Sequence, residues 1–137
     1  MRRFFGFALL AVMLLATPVF AGNAIKIGEI APVTGHFAAY GVAEVEAVKM
    51  DVKEINAKGG IMGKKVEVIM YDCRTRNEDM VNAARRLSQQ DKVCAVIGPS
   101  GSGLCIAAAP VCNSSKVPRL GTLPTDANVT HDGAGRV

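Results

Sequence analysis

The run Gly98-Pro99-Ser100-Gly101-Ser102-Gly103 sets two hydroxyls among three glycines and a proline. It follows the short apolar stretch Val93–Ile97 and leads into the helix-like segment Leu104–Val111. A buried strand that ends in a Gly/Ser turn and opens a helix aims unpaired backbone N–H groups and hydroxyls at one point, where an anion can sit. Such a site binds without a catalyst. Two sharper readings fail on single residues. Gly98 and Gly103 have the separation of a phosphate-binding P-loop, yet Leu104-Cys105 stands where Lys and Ser/Thr are required, which sets aside ATP and GTP. A nucleophile elbow needs G-x-S-x-G, and Ser102 occupies the last glycine position around Ser100. His36 and His131 could serve as bases in principle, but the only acid near His131 in sequence is Asp132, so no hydrolase is spelled. What remains is recognition of a small carboxylate, with Ser102 as a hydroxyl donor at the helix start. The plainer alternative is that Ser102 only caps its helix.

These loops need elements to hold them. After residue 22 the pattern alternates strand and helix. Ala24–Ala31 reads as a first strand, followed by a loop from Pro32 to Tyr40. From Gly41 to Lys58, Val45, Val48, Val52 and Ile55 recur at spacings of three and four, with Glu44, Lys49, Lys53 and Glu54 on other faces, as an amphipathic helix requires. Gly59-Gly60 ends it. Lys65–Asp72 reads as the second strand. A helix over Glu78–Gln90 buries Met80, Ala84 and Leu87 and turns Arg85 and Arg86 to solvent. Val93–Ile97 is the third strand, with Cys94 inside it as a buried small hydrophobe. A third helix from about Ser102 buries Leu104, Ala108 and Val111, and Pro118–Thr122 is a short fourth strand. Short strands joined by helices imply right-handed crossovers, hence an α/β fold with a parallel sheet covered by helices on both faces. Ligands of such sheets gather outside the carboxyl ends of the strands, where strand order reverses. The loops at that edge are 32–40, 73–77, 98–102 and 123–130.

The chain has 137 residues, half of them hydrophobic, enough for one core of ordinary size. Arg2 and Arg3, the apolar run Phe4–Ala16 and the small-residue site Val19-Phe20-Ala21 read as an export signal cleaved after Ala21. The run is short for a membrane span, and no Cys at the cleavage point suggests a lipoprotein. Residues 1–21 carry two arginines and no acid, so their removal lowers the formal charge from +4 to +2. That charge is too small and scattered for nucleic acid, and two Tyr with no Trp leave little for base stacking. Export places Cys73, Cys94, Cys105 and Cys112 in an oxidising compartment. Four thiols allow three complete pairings. Cys73 and Cys105 both fall near the carboxyl end of the sheet, which favours that bridge. With no C-x-x-C, and both histidines far from cysteine spacing, a zinc site is not expected.

A set of motifs then acts together: Ile27–Gly35, Tyr40-Gly41, Glu54–Gly63, Tyr71-Asp72, Ile97-Gly98-Pro99, Val117-Pro118, Thr125-Asp126 and Thr130. In this order they resemble the amino-terminal lobe of periplasmic branched-chain amino-acid binding proteins, the type I periplasmic binding proteins that feed ABC importers. The resemblance covers nearly all of residues 24–137. It implies a cleft between two α/β lobes, of which residues 22–137 supply only the amino-terminal one, incomplete. It also implies that Ser102 and Thr125 hold the carboxylate and ammonium of the ligand, that Tyr40 packs against its apolar part, and that the Pro124 carbonyl accepts from the ammonium. Pro124 stands where the family usually has Ala, and its fixed φ bears on that loop. Gly101 falls where some close relatives have a loop-closing Cys, so their disulfide does not transfer.

The expectation is therefore an exported, periplasmic solute-binding protein, or a piece of one. It captures a small amino acid, foremost a branched-chain one, or a similar carboxylate, for the permease of an ABC importer in the inner membrane. No catalysis, cofactor, metal or nucleic acid is expected. The alternatives are a ligand-binding lobe of a sensor or receptor for amides or aromatic acids, and a truncated product without independent function.

Overall fold

The computed structural model describes residues 24–131; the expected signal peptide lies outside them. Four strands form one sheet: β1 (Ile25–Ala31), β2 (Val66–Asp72), β3 (Ala95–Ile97) and β4 (Arg119–Leu120), in the spatial order β2-β1-β3-β4. Every neighbouring pair is parallel. The connections are α1 (Ala38–Ala57), α2 (Asn77–Arg85), which runs on into a π-helical turn at Arg86–Asp91, and α3 (Ser102–Ser115). A short 3-10 turn at Ala127–Thr130 follows β4.

Alternation along β1 assigns the faces. A Cβ built on Gly28 would press against Leu87, just beyond α2. Ile30, two residues on, joins Met80, Ala84, Leu87, Leu104, Ala108 and Val96 in the main core. Gly28 and Ile30 therefore face α2 and α3 together, and their registered partners Val96, Ile69 and Tyr71 share that side. Glu29 and Ala31 point the other way, toward α1. Helices thus cover both faces, and the last four residues of β1 are all buried, as a central parallel strand should be. Fully burying side chains such as Met80 and Leu87 contributes about 1.5–3 kcal/mol each.

Several expectations are corrected here. Helix α1 begins at Ala38, so Tyr40 sits in its first turn and not in a loop. Its buried residues are Gly41, Glu44 and Val45, while Val48, Val52 and Ile55 are only half-buried. Glu44, expected on a solvent face, points inward because it shares the three-and-four spacing of Gly41, Val45 and Val48. Strand β3 starts two residues late, at Ala95; Cys94 precedes it and is exposed.

The Cys73–Cys105 bridge is absent, and all four thiols are free. Cys73 follows β2 at one edge of the sheet and joins the core under α2 and α3. The Cys105 sulfur contacts the Pro99 carbonyl oxygen at 3.5 Å and lies beside Gly121, just past β4. Cys105 thus sits by the ends of β3 and β4, two to three strand spacings or about 10–14 Å from β2, far beyond the reach of a disulfide.

A pocket at the strand-order reversal

From β1 the chain crosses to β2 on one side, then returns past β1 to β3 and β4 on the other. The reversal lies between β1 and β3, and the loops leaving those strands meet above it. A cavity of about 280 Å³ opens there, lined by Phe37, Tyr40, Ser100, Gly101, Ser102, Leu123 and Thr125. A larger one of about 660 Å³, lined by residues including Lys26, Asp91, Lys92 and Cys94, lies at the opposite, amino-terminal edge of β1 and β3. The smaller cavity has the position that parallel sheets reserve for ligands.

Three of the four residues expected at the site meet in it: Tyr40, Ser102 and Thr125. Pro124 does not line it. Its ring is turned against Gly121, where an added Cβ would come within 2.8 Å of Pro124 Cγ.

Ser102 is the first residue of α3, and the preceding Gly101, at φ 117°, provides no side-chain cap. The Ser102 hydroxyl is not a helix cap either. Its oxygen accepts from the backbone N–H groups of Thr125 at 3.1 Å and Asp126 at 3.2 Å, tying the β4 loop to the helix start. A hydroxyl that accepts twice still has its proton to give. The amide groups of the first turn of α3 add a partial positive charge on the same side. Among the described residues no charged side chain lines the cavity. That combination suits one carboxylate better than a phosphate chain, whose charge would go unmatched.

The aromatic wall is Phe37 against Tyr40, edge to face with ring centroids 6.1 Å apart; Tyr40 remains 56% exposed. A network carried by Asp72 at the end of β2 fixes the loop before it. Asp72 accepts from the Thr34 hydroxyl at 2.7 Å and the Arg74 N–H at 2.8 Å. Thr75 donates its hydroxyl to the Thr34 carbonyl and accepts from the Phe37 N–H. Burial works to raise the pKa of Asp72, but the hydrogen bonds from Thr34, Arg74 and Val33 outweigh it and hold the carboxyl below the usual range.

Sequence reasoning missed Phe37, Ser100, Gly101 and Leu123 as lining residues, and missed what lies beneath them. Ser100 is buried and donates its N–H and its hydroxyl to Glu44 Oε2, at 3.2 and 2.8 Å. Its oxygen also lies 3.3 Å from the Thr122 hydroxyl. Gly98, at φ 90°, passes so close that a Cβ there would run into Glu44 Oε1 and the Ile30 carbonyl. Glu29, 1% exposed, lies near Glu44, and burial first, then the Glu44 charge, pushes its pKa up to about 7. The signal for Glu44 was its helical spacing; the signal for Glu29 was an acid inside the apolar end of a central strand.

Comparison with known proteins agrees with this fold. Residues 24–135 match a family model described as periplasmic binding protein. The Leu/Ile/Val-binding protein homolog 7 of Brucella suis biovar 1 (strain 1330) is 34% identical over 111 residues, covering 81% of this chain and 28% of that protein. The branched-chain amino acid transporter substrate binding protein LivJ of Streptococcus pneumoniae, solved in complex with isoleucine, is 37% identical. It superposes with a TM-score of 0.77 over 78% of this chain and 31% of its own. A solute binding protein of an ABC transporter from Rhodopseudomonas palustris BisB5, solved with 3,4-dihydroxybenzoic acid, is 28% identical, with a TM-score of 0.75 over 85% of this chain and 31% of its own. The chain thus spans about a third or less of these relatives' length. On sequence and on fold alike, it belongs to the periplasmic binding protein family.

Proposed function

We propose that this chain forms one wall of a solute-binding cleft that captures an amino acid, foremost a branched-chain one, in the periplasm for delivery to an ABC importer permease. The observation that carries the reading is the convergence of Tyr40, Ser102 and Thr125 on one cavity beside an uncapped helix start. In it the Ser102 hydroxyl and the first-turn amides of α3 hold the carboxylate. The Thr125 hydroxyl contributes a further polar contact, and Phe37, Tyr40 and Leu123 cover the aliphatic part. On this reading the protein only binds its solute, and the buried Ser100 hydroxyl of the pocket is engaged with Glu44. A relative solved in complex with isoleucine supports the amino-acid assignment.

A single wall leaves half the ligand in water. A cavity of about 280 Å³ falls just under the roughly 300–1,000 Å³ of complete small-molecule sites. A carboxylate held by two or three charge-assisted hydrogen bonds, about 1.5–3 kcal/mol each, gives millimolar affinity once the cost of immobilising the ligand is met.

One observation favours a second reading. Among the described residues the cavity has no carboxylate to match an ammonium, and a relative of similar fold was solved with an aromatic acid, so an aromatic carboxylate fits the same donors. Calorimetry with isoleucine, leucine, valine, their amides and 3,4-dihydroxybenzoate separates the two. The amino-acid reading expects heat from the free acids and none from the amides; tighter binding of dihydroxybenzoate than of any amino acid would replace it.

A further inference from the structure

Beneath the pocket lie two acids with unfinished hydrogen bonding. Glu29 Oε1 on β1 and Glu44 Oε1 on α1 are both buried without a hydrogen-bond partner among the described residues. The other oxygen of Glu44 is fully engaged, holding the backbone and the hydroxyl of Ser100. Ser100 lines the pocket and stands two residues before Ser102. Two buried carboxylates that feel each other's charge cannot both ionise cheaply, and an acceptor with no donor is costly. One proton placed between them answers both problems.

We propose that Glu29 is a positioning residue for the pocket and works by keeping its proton: its neutral carboxyl donates to Glu44 Oε1, leaving Glu44 as the single anion that anchors Ser100. Charge counting around Glu29 agrees. From α1 it faces Glu44, which disfavours its ionisation, and at longer range Lys49, which favours it but is itself bonded to Glu46 at 2.8 Å. Its registered neighbours, Met70 on β2 and Ile97 on β3, carry no charge. The loop above contributes the neutral Ser100, which holds Glu44, and the neutral Thr122, which lies against Ser100. A divalent cation fits less well. Among the described residues no three His, Cys, Asp or Glu side chains come together to hold one, and calcium asks for about six to eight oxygens.

When Glu29 loses the proton, two buried anions face each other, Glu44 is driven from its place, and the Ser100 anchor loosens. The pocket then follows pH. For its effect on affinity the proposal rests on the solute-binding reading; for the proton itself it does not.

The test uses the whole chain with carbon-13 at the glutamate carboxyls, followed by NMR. Glu29 should titrate near neutral pH, and the Ser100 amide should shift with the same midpoint. Titration of Glu29 in the ordinary range of about 4.3, or a Ser100 amide that ignores it, overturns the proposal. So does a Glu29 midpoint that falls when millimolar calcium is added, which would make a cation the occupant. In a second arm, isoleucine affinity is measured from about pH 5 to 9. It should weaken roughly fivefold or more across the Glu29 midpoint. Glu29→Gln, which keeps a donor and cannot ionise, should hold the acid-side affinity throughout; a Gln variant that keeps the wild-type pH profile contradicts the proposal. Titration of Glu29 near neutral pH, followed by the Ser100 amide, with no isoleucine bound at any pH would fail the solute reading and leave the proton on Glu29.

Discussion

Under α2 and α3 the sheet meets Met80, Ala84, Leu87, Leu104 and Ala108, packed on Ile30 and Val96. Under α1 it meets Glu44 and Glu29, with Ser100 bridging to the loop above, and three of the four valines and isoleucines expected to bury there are only half-covered. Apart from Arg119 at the β4 edge, whose Nε and Nη1 are buried without a partner among the described residues, the first face is apolar and closed, which is where folding free energy comes from. The second carries buried charge and open acceptors directly under the pocket. A family fold can be stable on one side of a sheet while the other side is free to hold loops in the positions binding needs.

The sharpest way to break this contrast is to cut into each face. Leu87→Ala should cost about 2–5 kcal/mol in urea unfolding, and Val52→Ala on the α1 face well under half of that. Equal losses would mean that both faces stabilise the fold alike.

Next in size is pH. Glu29 has its pKa raised above the unfolded value, so the stability tied to its proton is complete below about 4.5 and is lost as pH rises through about 7, a change of order 3 kcal/mol. Asp72 has the opposite sign: its contribution holds above the unfolded value of 3.8 and is lost as pH falls through its lower folded value. Unfolding curves taken across this range should therefore show greatest stability in mild acid. Greatest stability at pH 8 would remove the buried carboxylates from the explanation.

Ser100→Ala should follow, at about 1–3 kcal/mol, because it takes a donor from a buried carboxylate. Ser102→Ala should cost less stability, about 0.5–1.5 kcal/mol, since the bonds it loses are exposed, yet should weaken ligand about tenfold or more. A reversal of that order, with Ser102 the structural residue and Ser100 the binding one, would exchange their roles. Smallest of all, reducing agent should leave the melting temperature unchanged, because the thiols are free; a fall would restore a disulfide.

The closed face was legible because periodicity reports apolar burial. Met80, Ala84 and Leu87, and Leu104 with Ala108, all point inward as their spacing required. So was the rim, because parallel topology delivers Tyr40, Ser102 and Thr125 to the same edge whatever their separation in sequence. The α1 face was not. Hydrophobic periodicity skips a glutamate, so Glu44 was assigned to solvent although its position on the helix matched the buried stripe. Cys94 failed for a related reason: an apolar run does not say where pairing starts, and the ladder begins one residue later. The Cys73–Cys105 pairing placed both residues at the correct end of the sheet and overlooked strand order, which sets them toward opposite edges.

The most direct test of the central claim is an amide NMR titration of the whole chain with isoleucine into the millimolar range. Shifts confined to Phe37, Tyr40, Gly101, Ser102, Leu123 and Thr125, abolished by Ser102→Ala, are the predicted result. Shifts clustered instead around Lys26, Lys92 and Cys94 at the other edge of the sheet, or a pocket that stays silent at saturation, would contradict it.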